Sequence, residues 1–507
     1  MSTPHPRPPA DKLHKRTSIA SSTTPIPQLV RSRSTIHLPL HRRIIFPHDD
    51  PSSDIPQIVK GDNGEVELEL INERLYHLLA LAVRAYVTSW YIRFTPDRSF
   101  PPLIHQQIIY PILSPVLSNL NTTQGKDRIC HLLLIDLPVI LHLHVQTYYE
   151  AKSSRAYLPS DGQDGLSEGY YRRLPLLSIT PSKDGGGYTL SPLYLSALSS
   201  ALLNRYITEQ RHVPDVERLM AREILSKSIL CNVLRRLCEG WFWYQLVLKI
   251  LGEPDGAPSP SPSPSPSPEK TKTKEKETEK EGRSLDQIIL NFINTCITLC
   301  IRLWGICISI VALYSAAPKT VDRRYERSYE PLLLLLREVL GIDGYEGLEM
   351  RRWAKRMIWG CMELVVGLCG GMLDRLFPHL LKSHFLTPST SLRLIDLMER
   401  LLFPDGYPGP SPVDPTPQEA LDLRERAEKR IDELVPSLIK RVFFNTKRGT
   451  KVLLDPLEDS GCNAHLVGMV LNAVVGGVIP DLVIPLEVDE EEKNEEDRQA
   501  VGADGGW

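Results

Sequence analysis

The chain contains no Cys-x-x-Cys pair. Its nine cysteines are scattered singly from Cys130 to Cys462 along 507 residues. Such spacing excludes a zinc ribbon and a disulfide framework. Cys231, Cys296, Cys300, Cys307 and Cys361 lie inside apolar runs and read as small buried hydrophobes of a reducing compartment. No apolar stretch follows the opening "MSTPHPRPPADKLHKR", so no secretory signal is expected and the sequon at Asn121 is expected to stay bare. P-loop, dinucleotide and zinc signatures are all missing, and nothing in the motifs supports catalysis. The net charge of −3 comes without a basic folded domain, which argues against nucleic acid as a partner.

What is present is unevenly distributed. Residues 1–43 hold eight Lys or Arg against the single acid Asp11, while "EVDEEEKNEED" (487–497) holds eight acids and one lysine. Both ends read as solvated interaction segments, the first able to touch an anionic membrane. Composition therefore divides the chain into a disordered basic arm (1–62), a folded part (63–252), a Ser-Pro and Lys/Glu linker (253–283), a second folded part (284–486) and an acidic tail (487–507). Strand signals are scarce, and "GGGYTLSP" reads as a loop. Ile71, Leu75, Leu78, Ala82, Tyr86 and Trp90 follow helical spacing. Further helical runs cover 103–120, 127–150, 191–210 and 214–237, then 286–316, 330–340, 350–377, 390–403, 418–443 and 463–478. The expected fold class is all-α.

Three histidines in "ICHLLLIDLPVILHLHVQTYYEA" invite a metal reading. On a helix His142 and His144 point about 200° apart. His131 and His142 share a face at roughly 16 Å separation. No two can share an ion, so a metal site is not expected. "GLSEG" (165–169) spells a nucleophile-elbow pattern, but polar loop sequence surrounds Ser167 where a strand and a helix are required. Arg323-Arg324-Tyr325 matches a phosphoinositide motif of PX domains without that domain's context, and reads as a charged helix start after Pro318.

Residues 68–251 resemble a PXA domain, the helical PX-associated module of some sorting nexins. The pieces run in the family's order. They are the helix ending Ser89-Trp90-Tyr91 with Asp97 and Phe100 after it, then the run in which His144, Tyr148 and Ala151 fall on an H-x3-Y-x2-A pattern, and last "VPDVERLMAREILSKSIL" leading to "LCEGWFWYQLV". This sequence departs from the family's usual proline near Cys231–Leu234 and from Asp-Pro at Glu239-Gly240. The second part is similar to the nexin C-terminal module and to fungal PXA-only proteins through "LFPDGYPGPSPVDPTPQEALDLRERAEKRI" and "GCNAHLVGMVLNAVV".

The stretch 286–317 stands apart, with Arg302 the only charge between Asp286 and Lys319. Asn291, Thr295, Thr298, Arg302, Gly305 and Ser309 form a narrow polar or small stripe. Opposite them stand Ile289, Ile293, Cys296, Cys300, Trp304, Cys307, Val311 and Tyr314, the candidate lipid-facing residues. Three readings stay open. One is a bilayer span, at a cost of roughly 2.5–3.5 kcal/mol for Arg302. Another is the wall of a cavity filled by acyl chains, and the third is an ordinary core helix. The resemblance implies two helical modules packed as one unit around a hydrophobic tunnel, with a phospholipid as the only candidate ligand and no cofactor or metal. The expected protein is non-enzymatic, cytoplasmic and peripheral on endosomal or ER membranes, or anchored through 286–317. It would bind or transfer lipid, or else act as a phosphorylation-regulated scaffold with partners on the arm and linker.

Overall fold

The computed structural model describes residues 38–50, 52–60, 66–155, 165–182, 187–207, 214–254, scattered positions from 297 to 318, 323–342, 349–403, 406, 414–444 and 453–482. The acidic tail, residues 1–37 and the Ser-Pro repeat lie outside the described residues.

The all-α expectation holds. The first part runs through α1 (Leu40–Ile44), α2 (Val66–Val83), α3 (Ser89–Phe94), α4 (Phe100–Ile104), α5 (Tyr110–Asn121), α6 (Thr123–His131), α7 (Leu137–Arg155) and α8 (Leu166–Arg173). A hairpin of β1 (Ile179–Pro181) and β2 (Tyr188–Leu190) follows, then α9 (Pro192–Tyr206), α10 (Asp215–Glu223), α11 (Asn232–Cys238) and α12 (Gly240–Leu251). The second part contributes α13 (Glu330–Val339), α14 (Glu349–Leu368), α15 (Gly370–Leu380), α16 (Pro388–Leu402), α17 (Pro417–Leu434), α18 (Ser437–Phe443) and α19 (Ser460–Val478). Short π turns, such as Arg84–Thr88 and Leu132–Asp136, join α2 to α3 and α6 to α7 as continuous helical rods.

Local chemistry sets many of the starts. Thr387 caps α16 and Thr416 caps α17, each followed by a proline at the first helical position. At α17 the cap is a full capping box, with Glu419 accepting from the Thr416 amide.

Several expectations need correction. "GGGYTLSP" supplies β2, whose Thr189 pairs with Thr180, so it is not a loop throughout. The 350–377 run is broken at Cys369, where two helical stretches, Arg352–Leu368 and Gly370–Phe385, meet at 76°. Gly370 is required there, because a Cβ would come within 2.8 Å of Tyr329 Oη. The 418–443 run splits at Val435–Pro436, where proline removes a helical donor. Residues 38–50 and 52–60, assigned by composition to the arm, are folded. Ile45 and Ile58 pack with Tyr76 and Ala80, and Asn72 Oδ1 accepts from the amides of Ile58 and Val59 at 2.9 and 2.8 Å.

The two parts share their cores. Ile395 of α16 packs with Leu68 and Ile71 of α2. Ala427 of α17 and Leu454 pack with Tyr244 and Leu248 of α12. Ala464 and Val467 of α19 join Ile179, Leu190, Leu195 and Leu234. The first half of α19, Gly461 to Gly468, is buried throughout. Apolar faces that neither part could cover alone are thus buried jointly.

Candidate functional site

The residues of the family pattern sort into two structural devices. Tyr91 stacks on Phe100 with ring centroids 4.5 Å apart, and Trp90 meets Phe100 edge-on at 6.3 Å. Asp97 accepts from the Ser99 amide at 3.0 Å and from its hydroxyl at 2.6 Å, fixing the turn into α4. This is an aromatic clasp on a turn, half-exposed.

His144, Tyr148 and Ala151 form the second device, on the buried face of α7. Tyr148 and Ala151 pack with Tyr170 of α8 and Cys462 of α19. His144 Nε2 lies 3.1 Å from the Pro456 carbonyl, which can only accept, so that nitrogen carries the hydrogen. Nδ1 is then the free lone pair, and Tyr170 Oη donates to it across 3.0 Å. Burial pushes the imidazole down to about 4, keeping it neutral at physiological pH. His465 is also fully buried. Its Nδ1 donates to the Gly461 carbonyl at 2.9 Å, and the rings of Tyr170 and Tyr171 stand 4.9 and 5.7 Å away. Burial lowers its affinity for a proton as well. This buried cluster joins the two parts of the chain.

The other sequence candidates for chemistry do not converge. His142 is half-buried and His131 pairs with Asp136 at 3.1 Å across the π turn. Among the described residues no group of three or more His, Cys, Asp or Glu could hold a metal ion. Ser167 is not on a polar loop, as expected, but near the start of α8, buried against Gly461. Tyr325 is buried in a single 3-10 turn and donates to the Asp127 carbonyl at 2.9 Å, so Arg323-Arg324-Tyr325 does not start an α-helix.

Of the candidate lipid-facing residues, Ile289, Ile293, Cys296, Cys300 and Cys307 lie outside the described residues. Trp304 (69% exposed), Val311 and Tyr314 are described and stand on the surface, together with Ile297, Ile301 and Ile308. The polar stripe is uncovered too: Thr298, Arg302, Gly305 and Ser309 are exposed. The described residues of this helix touch the body at its end. There Arg375 lies 4.1 Å above the Tyr314 ring and donates to the Pro318 carbonyl at 2.9 Å, and Ala317 is buried.

A second uncovered surface was only half visible in the sequence. Trp353, Met357, Leu364, Val365 and Leu368 of α14 are all exposed, Leu368 at 80%. Apolar content marked this stretch, but which of its faces stays bare depends on packing. Two open grooves, of about 540 and 420 Å³, are also present. The first is lined by Arg128, His131, Asp136, Val139, Ala473 and Gly477, the second by Gly367 of α14 together with Arg323, Glu326, Tyr329 and Asp374. Neither is lined by residues of 286–317.

Two described helices, Thr123–Ser154 and Ser460–Val478, are long and apolar enough to cross a membrane, as is the bent pair around Cys369 taken as one. The first two carry His144 and Tyr148, whose polar atoms are engaged inside the protein. They also carry the buried Asn463 and His465, whose Nδ2 and Nδ1 donate to backbone carbonyls, while Asn463 Oδ1 and His465 Nε2 have no partner among the described residues. Of their most apolar windows only 22% and 50% of the residues are buried, where Tyr148 and Ala151 of the first meet Cys462 of the second in the shared core.

Comparison with known proteins returned one family. Residues 69–250 match the family model described as PXA domain. No curated protein and no solved structure matches the chain.

Proposed function

We propose, from the premise that residues 69–250 are a PXA domain, that this protein is a non-enzymatic lipid-binding protein of membrane traffic. PXA membership supports a sorting-nexin-like trafficking role. The finer reading is a phospholipid carrier or tether, cytoplasmic and peripheral on endosomal or ER membranes. The observation that carries it is the row Ile297, Ile301, Trp304, Ile308 and Val311, exposed along one helix with Arg302 its only charge. Leaving that much apolar area in water is unfavourable, at about 25 cal/mol per Å². Acyl chains cover such a face at a gain of about 0.8 kcal/mol per buried CH₂. In this reading 286–317 closes over the chains as the wall of a hydrophobic tunnel, and Arg302 stays on the wet side.

Native mass spectrometry with lipid extraction, on protein from a detergent-free lysate, tests this. A stoichiometric phospholipid on soluble protein is the expected result. Soluble, lipid-free protein holding a stable protein partner would replace it with the scaffold reading. Recovery only in detergent would make 286–317 an anchor.

A further inference from the structure

We infer that α14 is an in-plane membrane-docking helix that seats one face of the protein on an anionic leaflet. This rests on the lipid-binding reading above but concerns a different helix. Along α14 the exposed residues Trp353, Met357, Cys361, Leu364 and Leu368 recur at intervals of four, four, three and four, which is one stripe of an α-helix. Met350, Ile358 and Val365 widen it. Positions 360 and 367, both glycine, have open space where a Cβ would stand, with Gly367 on the edge of the groove that Arg323, Glu326 and Tyr329 line.

The other side of the helix faces the body. Trp359 is buried and donates through Nε1 to Glu363 at 2.5 Å, and Glu363 also meets Arg337 of α13 at 3.5 Å. Glu363 is the only charge from Met357 to Leu368, and these contacts hold it at the protein side. The stripe therefore presents aliphatic, aromatic and thiol groups with no charge among them.

Charge sits at one end. Arg351, Arg352, Lys355 and Arg356 fall within the first eight residues of α14, beside the single acid Glu349. Arg356 is exposed, while Arg352 and Lys355 are half-buried and engaged within the protein. Basic residues with a tryptophan at one end and a long apolar face beyond are the composition of a helix lying at a lipid interface. The apolar part, Met357 to Leu368, is about 18 Å long at 1.5 Å per residue, well short of a hydrocarbon core of about 30 Å. It suits lying in one leaflet and cannot span two. The 76° bend after Leu368 then returns the chain to the body. There Asp374 of α15 accepts from the amides of Arg327 and Ser328, both at 2.9 Å, and holds the far end. Arg356, exposed at this end, selects the lipid: a Lys or Arg near an anionic surface is worth about a fivefold gain in binding.

Vesicle flotation with the full chain tests this, using phosphatidylcholine vesicles with and without phosphatidylserine. The wild type is expected to float with the phosphatidylserine vesicles and to be released by salt. Leu364→Asp/Leu368→Asp is expected to lower binding at least about tenfold with an unchanged melting temperature, since both side chains are exposed. Arg356→Glu, also at an exposed position, should weaken binding to the anionic vesicles alone. Binding retained by the double variant, equal binding to both vesicle types, or no binding by the wild type would overturn the inference. So would a wild-type dimer that the double variant dissociates, which would make the stripe a self-association face. A lipid found by native mass spectrometry alongside failed flotation would leave the carrier reading standing and remove only this helix from it.

Discussion

His144 and Pro456 stand 312 positions apart and are joined by a 3.1 Å hydrogen bond from imidazole Nε2 to a carbonyl. That bond crosses the whole Ser-Pro linker. It makes a residue of the PXA pattern a structural partner of the 3-10 turn Asp455–Leu457 that leads into α19.

Stability should fall in mild acid. The imidazoles of His144 and His105 are both pushed from 6.5 down to about 4 by burial. The unfolded chain then binds protons more readily than the folded one below pH 6.5, so stability is complete above that pH and is lost as pH drops toward 4. Each displacement corresponds to about 3 kcal/mol. Differential scanning fluorimetry from pH 8 to 4 should show a flat melting temperature above 6.5 and a steady decline beneath it. His144→Gln should shrink that decline.

Gly461 is a point of close approach between the parts. A Cβ there would stand 2.5 Å from Ser167 Cβ. Gly461→Ala is expected to cost about 1–3 kcal/mol by overpacking. Ser167→Gly in the same chain should restore part of it, which chemical denaturation of the two variants and their combination will show.

Asn72 holds the folded end of the arm. Its Nδ2 donates to the carbonyls of Val59 and Leu68 at 3.1 and 3.0 Å, in addition to the two amides it accepts from. Asn72→Ala should cost about 2–3 kcal/mol and free residues 52–60 from the body. Hydrogen exchange should rise there before it rises in α7.

Arg424 of α17 joins three carboxylates: Glu428 at 2.9 Å, Asp455 at 2.7 Å and Glu458 at 3.0 Å. Glu428 is buried, so Arg424→Met removes an ion-pair partner from a buried carboxylate. A loss of about 3 kcal/mol is expected, together with loosening of α12 from α17. Thermal melts at low and high salt should both show it, since burial limits screening.

The amino-acid sequence by itself determined which segments are helical, because 3.6-residue periodicity, proline starts and Ser or Thr caps are local signals. It also determined that His131, His142 and His144 share no metal, since helical geometry alone separates them. The clasp of Trp90, Tyr91 and Phe100 was marked as a unit, but the sequence does not contain its stacking. Only the tertiary structure decided that α7 and α19, each apolar enough for a membrane, meet in one protein core. Apolar content is the same signal in both settings, and what covers it is non-local. The same reason explains Ser167, whose loop-like neighbours conceal a buried position against Gly461, and β2, which needs its partner strand. It explains α14 as well: its composition was visible along the chain, but that Leu364 and Leu368 remain bare while Trp359 is buried depends on how the helix packs against the rest of the body.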